Sequence, residues 1–426
     1  MFCQLEVLRH CFPSSVRNIL DELPESLDET YERILREIRK PKQRYAQRLL
    51  QCLVAAVRPL LVEELAEVLA FDFIAEGIPK LNVGWRWENQ EEAVMSACSS
   101  LVIIVKDGNS RIVQFSHFSV KEFLTANRLA DPIKDVSRCH IRLDAAHTIL
   151  VRACLGVLLQ LDDRVDQDSI KNFPLARYAA QYWPTHARFE NASSLIKDGM
   201  ECLFDADKPH FAAWLWVYNE DENGYAFGTH VKGVPLYYAA MLGFRDLVDH
   251  LIAKHPEYVN GRGGRQASPM HIAAEAGHAH ILSSLLEHGA DLNGRDGVNQ
   301  TPLLRASNKG KLEAGRCLLD RGADINLQNK WDETPLFESV DHGHVEFARM
   351  LLKRGARIDD HSSKGITSLH QAVMNGSIEA VRLLLEHGAD VSARDKSGAT
   401  ASQHASQMGY QDIVKLLSEY GAESVK

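Results

Sequence analysis

The sequence predicts a mainly α-helical chain: a helical domain with one small β-hairpin, then a helical connector, then an α-solenoid of repeated helix pairs. Three observations predict it. Apolar residues recur at helical spacing through much of the first half, broken by two β-rich runs around Asp107-Gly108-Asn109-Ser110. Pro269, Pro302 and Pro335 lie 33 residues apart, with Pro235 another 34 before them. Two glycine series keep the same period, Gly243 through Gly409 and Gly289 through Gly421.

Phe2, Leu5 and Leu8 are spaced as on a helix, which opens a helical start assigned to residues 1–40. In LPESLDETYERILREI, Ser26 stands three residues before Glu29, a capping-box spacing, and Tyr31, Ile34, Leu35 and Ile38 follow at helical period. YAQRLLQCLVAAV and RPLLVEELAEVLAF read as two further helices, and the basic run RKPKQR at Arg39 as a solvated loop before them. After a loop containing Gly, Pro and Trp come EEAVMSACSS, the hairpin LVIIVKDGNSRIVQFSHF and the helix SVKEFLTANRL. Helices, hairpin and closing helix in this order describe a winged helix, placed at residues 41–135, with the helical connector at 136–232.

The repeats occupy residues 234–426. In TPLL, the Thr301 hydroxyl can cap a helix whose first position is Pro302, where a missing N–H costs nothing. The mid-repeat glycine ends that helix, a second helix carries apolar pairs such as Leu318-Leu319, and Gly-Ala ends the second. A unit of this size cannot bury its apolar face alone, so six such units must stack. Val234, Ser368 and Ala401 depart from the Thr-Pro pattern toward the ends of the array, and Leu304 stands in the third repeat where the pattern has His.

SPMHIAAEAGHAHILSSLLEHGADLN, at Ser268 to Asn293, resembles the ankyrin repeat. LPESLDETYERIL and FSHFSVKEFL resemble the winged-helix region of fungal NACHT-ankyrin proteins, NLR-like members of the STAND class of signalling NTPases. PLARYAAQYWPTHARF at Pro174 and DKPHFAAWLW at Asp207 resemble the helical connector of the same family. The resemblance covers essentially the whole chain. It implies signalling in non-self recognition, with the ankyrin array as the ligand- or partner-sensing surface and a NACHT module or a second copy as an internal target. The family's NACHT core carries GxxxxGK[ST], which does not occur here, since Gly310-Lys311 is followed by Leu312. The chain is therefore expected to correspond to the C-terminal part of such a protein, without the NTPase core.

Composition narrows the function. Apolar and charged fractions of 45% and 25% are those of an ordinary folded protein, and a net charge of -9 argues against a nucleic-acid surface. A winged helix that binds nucleic acid while the ankyrins recruit a partner is the alternative reading, but EEAVMSACSS offers two Glu and no Lys or Arg to phosphates. The eight cysteines never form CxxC, no apolar run reaches the length of a membrane span, and the N-terminus has no signal-peptide core, so a cytoplasmic location is expected. His271, His278 and His280 are the best metal candidates among 19 histidines, yet most histidines of the second half recur in repeat register, which reads as structural. No catalytic motif is present, and no catalytic residue, cofactor or metal is expected.

Binding remains. Repeat register places Arg262, Arg265, Arg295, Trp331, Lys364, Arg394 and Lys396 at the tips between repeats, and Tyr238, Arg305, Glu338 and Gln371 on the outer side of the first helices. Trp331 is of the type that dominates binding hot spots, or else it packs on a neighbouring tip. Several basic tips on an acidic chain point to an acidic partner. If the repeats stack, Leu352→Ala in mid-array costs about 2 to 5 kcal/mol, read as a lowered midpoint of thermal unfolding.

Overall fold

The computed structural model describes residues 26–74, 77–130, 136–189, 192–222 and 234–421. The helix read at Phe2 to Leu8 lies outside them. The chain divides into two compact units, Met1–Ala226 and Phe227–Lys426.

In the first unit, helix α1 (Leu27–Glu37) begins at Ser26, whose hydroxyl accepts the Glu29 amide at 3.2 Å, and buries Tyr31, Ile34 and Leu35. The Tyr31 hydroxyl bonds Ser119 Oγ at 2.8 Å and its ring packs on Phe123, so this helix is part of the packing of the domain that follows. Helix α2 (Lys40–Ala55) starts inside the run read as a loop. Pro41 occupies its first turn, where an amide would have no helical partner, so the basic run opens a helix.

Next come β1 (Leu60–Leu61), α3 (Val62–Glu67), β2 (Phe71–Asp72), β3 (Lys80–Leu81), α4 (Gln90–Cys98), β4 (Val102–Asp107), β5 (Ser110–Phe115) and α5 (Phe118–Thr125). The hairpin β4–β5 closes through Asp107 opposite Ser110, and β1 pairs with β5 through Leu60 and Val113, giving the order β1-β5-β4. Two-residue strands are too short to show a period, which is why RPLLVEELAEVLAF read as one uninterrupted helix.

Helices α6 (Leu143–Leu158), α7 (Ala176–Ala187), α8 (Ala192–Leu203) and α9 (His210–Glu222) complete the unit, with α6 packed against α2. Their core centres on the fully buried Trp183, Trp214 and Phe204, whose rings contact one another edge-on or tilted. Buried polar links join these helices to the winged helix. Glu67, 4% exposed, accepts the Leu175 amide at 2.7 Å and pairs with Arg86, while the Tyr178 hydroxyl accepts the Val57 amide at 3.1 Å.

The second unit is six helix pairs: α10 (Pro235–Leu242) with α11 (Arg245–Lys254), α12 (Pro269–Ala276) with α13 (Ala279–Glu287), and α14 (Pro302–Asn308) with α15 (Leu312–Asp320). They continue as α16 (Pro335–Asp341) with α17 (Val345–Lys353), α18 (Ser368–Met374) with α19 (Ile378–Glu386), and α20 (Ala401–Met408) with α21 (Gln411–Glu419). First helices stack on first helices and second on second. At the end of α12, Gly277 takes φ +90°, a conformation costly to any residue with a Cβ, and its amide reaches the Ala273 and Ala274 carbonyls. Between repeats, Asn293 Oδ1 accepts the Asp324 amide at 3.0 Å, and Asn260, Asn326 and Asp359 act in the same way 33 residues apart.

The threonines before the first helices cap them: Thr301 accepts the Leu304 amide and Thr334 the Phe337 amide. Histidine strengthens the cap in two repeats. His271 Nδ1 accepts the Ser268 amide at 3.2 Å, and its Nε2–H donates to the Gln300 carbonyl at 3.0 Å; His370 does the same with Thr367 and Ala399. Leu304 keeps the backbone cap but has no side-chain bond to add.

Accepting an amide requires a neutral ring. Burial lowers the His271 pKa from 6.5 to about 4 and also lowers that of His370. In the first unit, burial likewise brings His147 to about 4 and His186 to about 3. Between these values and 6.5 the unfolded chain binds protons that the folded chain refuses, so stability is full above the ordinary histidine range and is lost as pH falls toward 4. Melting midpoints should therefore drop between pH 7 and pH 5, and His271→Leu should shallow that slope while lowering stability at neutral pH.

Candidate binding surface of the repeat array

Three of the tips are built around an Asp or Asn side chain. Asp296 Oδ1 accepts the Val298 and Gln300 amides at 2.9 and 2.8 Å, Asn329 Oδ1 accepts those of Trp331 and Glu333, and Asp395 Oδ1 those of Ser397 and Ala399. Asp and Asn favour this geometry because the side chain mimics a backbone turn.

The second polar atom of each points inward, to the first helix nine residues on. Asp296 Oδ2 receives Arg305 Nε and Nη2 at 3.0 and 2.5 Å, Asn329 Nδ2 donates to Glu338 Oε1 at 2.9 Å, and Asp395 Oδ2 lies 2.8 Å from His404 Nε2. Burial alone would raise the Asp296 pKa, but the Arg305 guanidinium and the two tip amides outweigh it and hold the carboxyl below its usual range.

The residues singled out on the first helices have partners within the array. Arg305 is engaged by both Asp296 and Glu275, and Glu338, 5% exposed, accepts from Asn329 and Asn308. Both are held within the array, because a polar side chain facing the turn is drawn into satisfying it. Gln371 is half-buried and donates to Asp341 Oδ1 of the preceding repeat and to Asn375 Oδ1. Tyr238 is half-buried with its ring edge-on to Tyr237. The nine-residue spacing of complementary pairs was the signal in the chain that could have exposed this arrangement.

The tip residues Arg262, Arg265, Arg295, Trp331, Lys364, Arg394 and Lys396 are all exposed. Backbone bonds connect successive tips: Gly297 N to Arg265 O, Lys330 N to Val298 O, Ser363 N to Trp331 O and Lys396 N to Lys364 O. Trp331 is 43% exposed, and the Lys330 ammonium, a residue not singled out from sequence, sits 4.4 Å from its ring centroid. Three arginines in one register are braced by carbonyls. Arg262 Nη1 donates to Gln266 O and Arg295 O, Arg295 Nη1 to Asn299 O and Gln328 O, and Arg394 Nη1 to Gly398 O.

Several histidines of this unit bond main-chain carbonyls within the array. His278 Nε2 lies 3.2 Å from the Met241 carbonyl, while the Nδ1–H of His288 and of His387 donates to the last-turn carbonyls of Ser284 and Leu383. Among the described residues no group of three metal-ligating side chains occurs. In the winged helix, α4 turns Glu91 and Glu92 to solvent, and Arg111 pairs with Glu63 and Glu91.

Comparison with known proteins agrees with this architecture. Residues 236–329, 294–362 and 337–426 match the model for ankyrin repeats, and residues 31–133 match the GPI inositol-deacylase winged helix domain. The chain is 32% identical over 293 residues to azaphilone pigments biosynthesis cluster protein L of Monascus ruber, covering 64% of this chain and 61% of that protein. It is also 39% identical over 70 residues to alpha-latrocrustotoxin-Lt1a of Latrodectus tredecimguttatus, a match that spans 5% of the toxin. The protein thus combines a winged helix domain with an array of ankyrin repeats, an architecture that supports protein interaction.

Removing Asp296 leaves the Arg305 guanidinium with Glu275 alone and takes the acceptor from the Val298 and Gln300 amides. Asp296→Ala should cost about 1 to 3 kcal/mol, measured by urea unfolding, and more than Lys364→Ala at an exposed tip.

Proposed function

We propose that this protein is a non-catalytic recognition and regulatory module, its ankyrin array serving as the partner-sensing surface of a fungal NLR-like signalling protein. The observation that carries the reading is the exposed, braced row of tips, with Trp331 presented at its centre under the Lys330 ammonium. The signalling assignment rests on the motifs shared with NACHT-ankyrin proteins and on likeness to a fungal cluster protein. The protein partner on the array is of unknown identity, and a NACHT module or a second copy is the internal candidate. The reading involves no cofactor and no catalytic step, and the scattered, unpaired-in-sequence cysteines favour the cytoplasm. Nucleic-acid binding by the winged helix is the weaker reading, because α4 faces solvent with carboxylates.

The test is affinity capture with the full chain, comparing the parent with Trp331→Ala. A half-exposed ring contributes little to folding, so melting should be unchanged while partner affinity falls by about 2 kcal/mol. Equal capture by both proteins would remove Trp331 from the surface.

A further inference from the structure

We infer that the tip surface reads an extended acidic segment of a partner protein, with carboxylates seated on the row of arginines and an apolar side chain against Trp331. This rests on the recognition reading above and specifies its ligand. Arg262, Arg295 and Arg394 are each held by carbonyls through Nη1, and no carboxylate pairs with any of the three among the described residues. The Nε–Nη2 edge of each guanidinium is thus left for a planar, two-oxygen acceptor in a side chain already held in place. The acids of the same tips are mostly turned the other way, Asp296 onto Arg305 and Asp395 onto His404, although Asp332 remains exposed. The surface therefore shows Arg262, Arg265, Arg295, Lys330, Lys364, Arg394 and Lys396 to solvent on a chain whose net charge is -9.

Spacing favours a peptide over a nucleic acid. Stacked helices lie about 8 to 10 Å apart; Arg262 and Arg295 are one such interval apart, and Gln328 and His361 hold the same register before Arg394. A polyproline-type strand rises about 3.1 Å per residue with three residues per turn, so every third side chain returns to one face at a similar distance. Duplex phosphates follow at about 3.4 Å along each strand, far denser than the row.

The probe is a labelled peptide of repeated Glu-Pro-Pro, about 15 residues long, titrated by fluorescence anisotropy into the full chain. A Gln-Pro-Pro peptide and an oligothymidylate of equal charge serve as comparisons. The Glu peptide is expected to bind about tenfold tighter than either and to weaken with salt. Arg262→Gln combined with Arg295→Gln should lower its affinity by about tenfold. Because those arginines also brace the tips, Lys364→Gln with Lys396→Gln is the second variant: these residues tie the tips through backbone groups, and the pair should weaken binding and flatten its salt dependence while melting is unchanged. Equal binding of the Gln peptide, parent-like binding by both variants, or equal or tighter binding of the oligothymidylate would overturn the proposal. A partner captured through Trp331 whose binding ignores both variants would also overturn it while leaving the recognition reading intact.

Discussion

A helix pair of 33 residues cannot enclose its own apolar face, and the second half of the molecule follows from that constraint. Leu285, Leu318, Leu351 and Leu384 are fully buried only because the neighbouring pair covers them. Stacking in turn brings the linkers side by side, which lets Asn260, Asn293, Asn326 and Asp359 bond across to the next repeat and lets the tips form a continuous ladder. The surface offered to a partner is therefore a by-product of core burial.

Polar side chains divide into two groups under the same constraint. Those that face a turn or a helix end satisfy it: Asp296, Asn329, Arg305, Glu338 and the histidines in repeat register. Those that point past the turn stay in solvent with their charge. A left-handed residue is required at one point of each tip, and Asn299 and Asp332 take it where Gly365 and Gly398 do later in the array. Asn and Asp tolerate that conformation better than other side chains do.

In the first unit, the winged helix and the helices after it form one packed body. The Glu67 carboxylate bonded to the Leu175 amide, the Tyr178 hydroxyl on Val57 and the packing of α6 on α2 fasten the two segments together. Buried carboxylates and hydroxyls in such places are costly unless every partner is present, which makes the junction specific as well as stable.

The seven residues LLEHGAD at Leu285 and again at Leu384 show how far sequence alone reaches. Proline, glycine and leucine positions disclosed period, helix ends and stacking, because those properties are local or repeat along the chain; the histidine in each copy was legible as a helix terminus, and the carbonyl bonds of His288 and His387 are its physical form. The short strands β1, β2 and β3 were hidden, since two residues carry no period. Tertiary structure alone decided which polar side chains are free: Arg295 and Arg305 look alike in the chain, yet one rests on carbonyls at an exposed tip and the other is clamped between two carboxylates. The difference depends on which groups the stacked neighbours bring within hydrogen-bonding distance, and no single repeat contains that information.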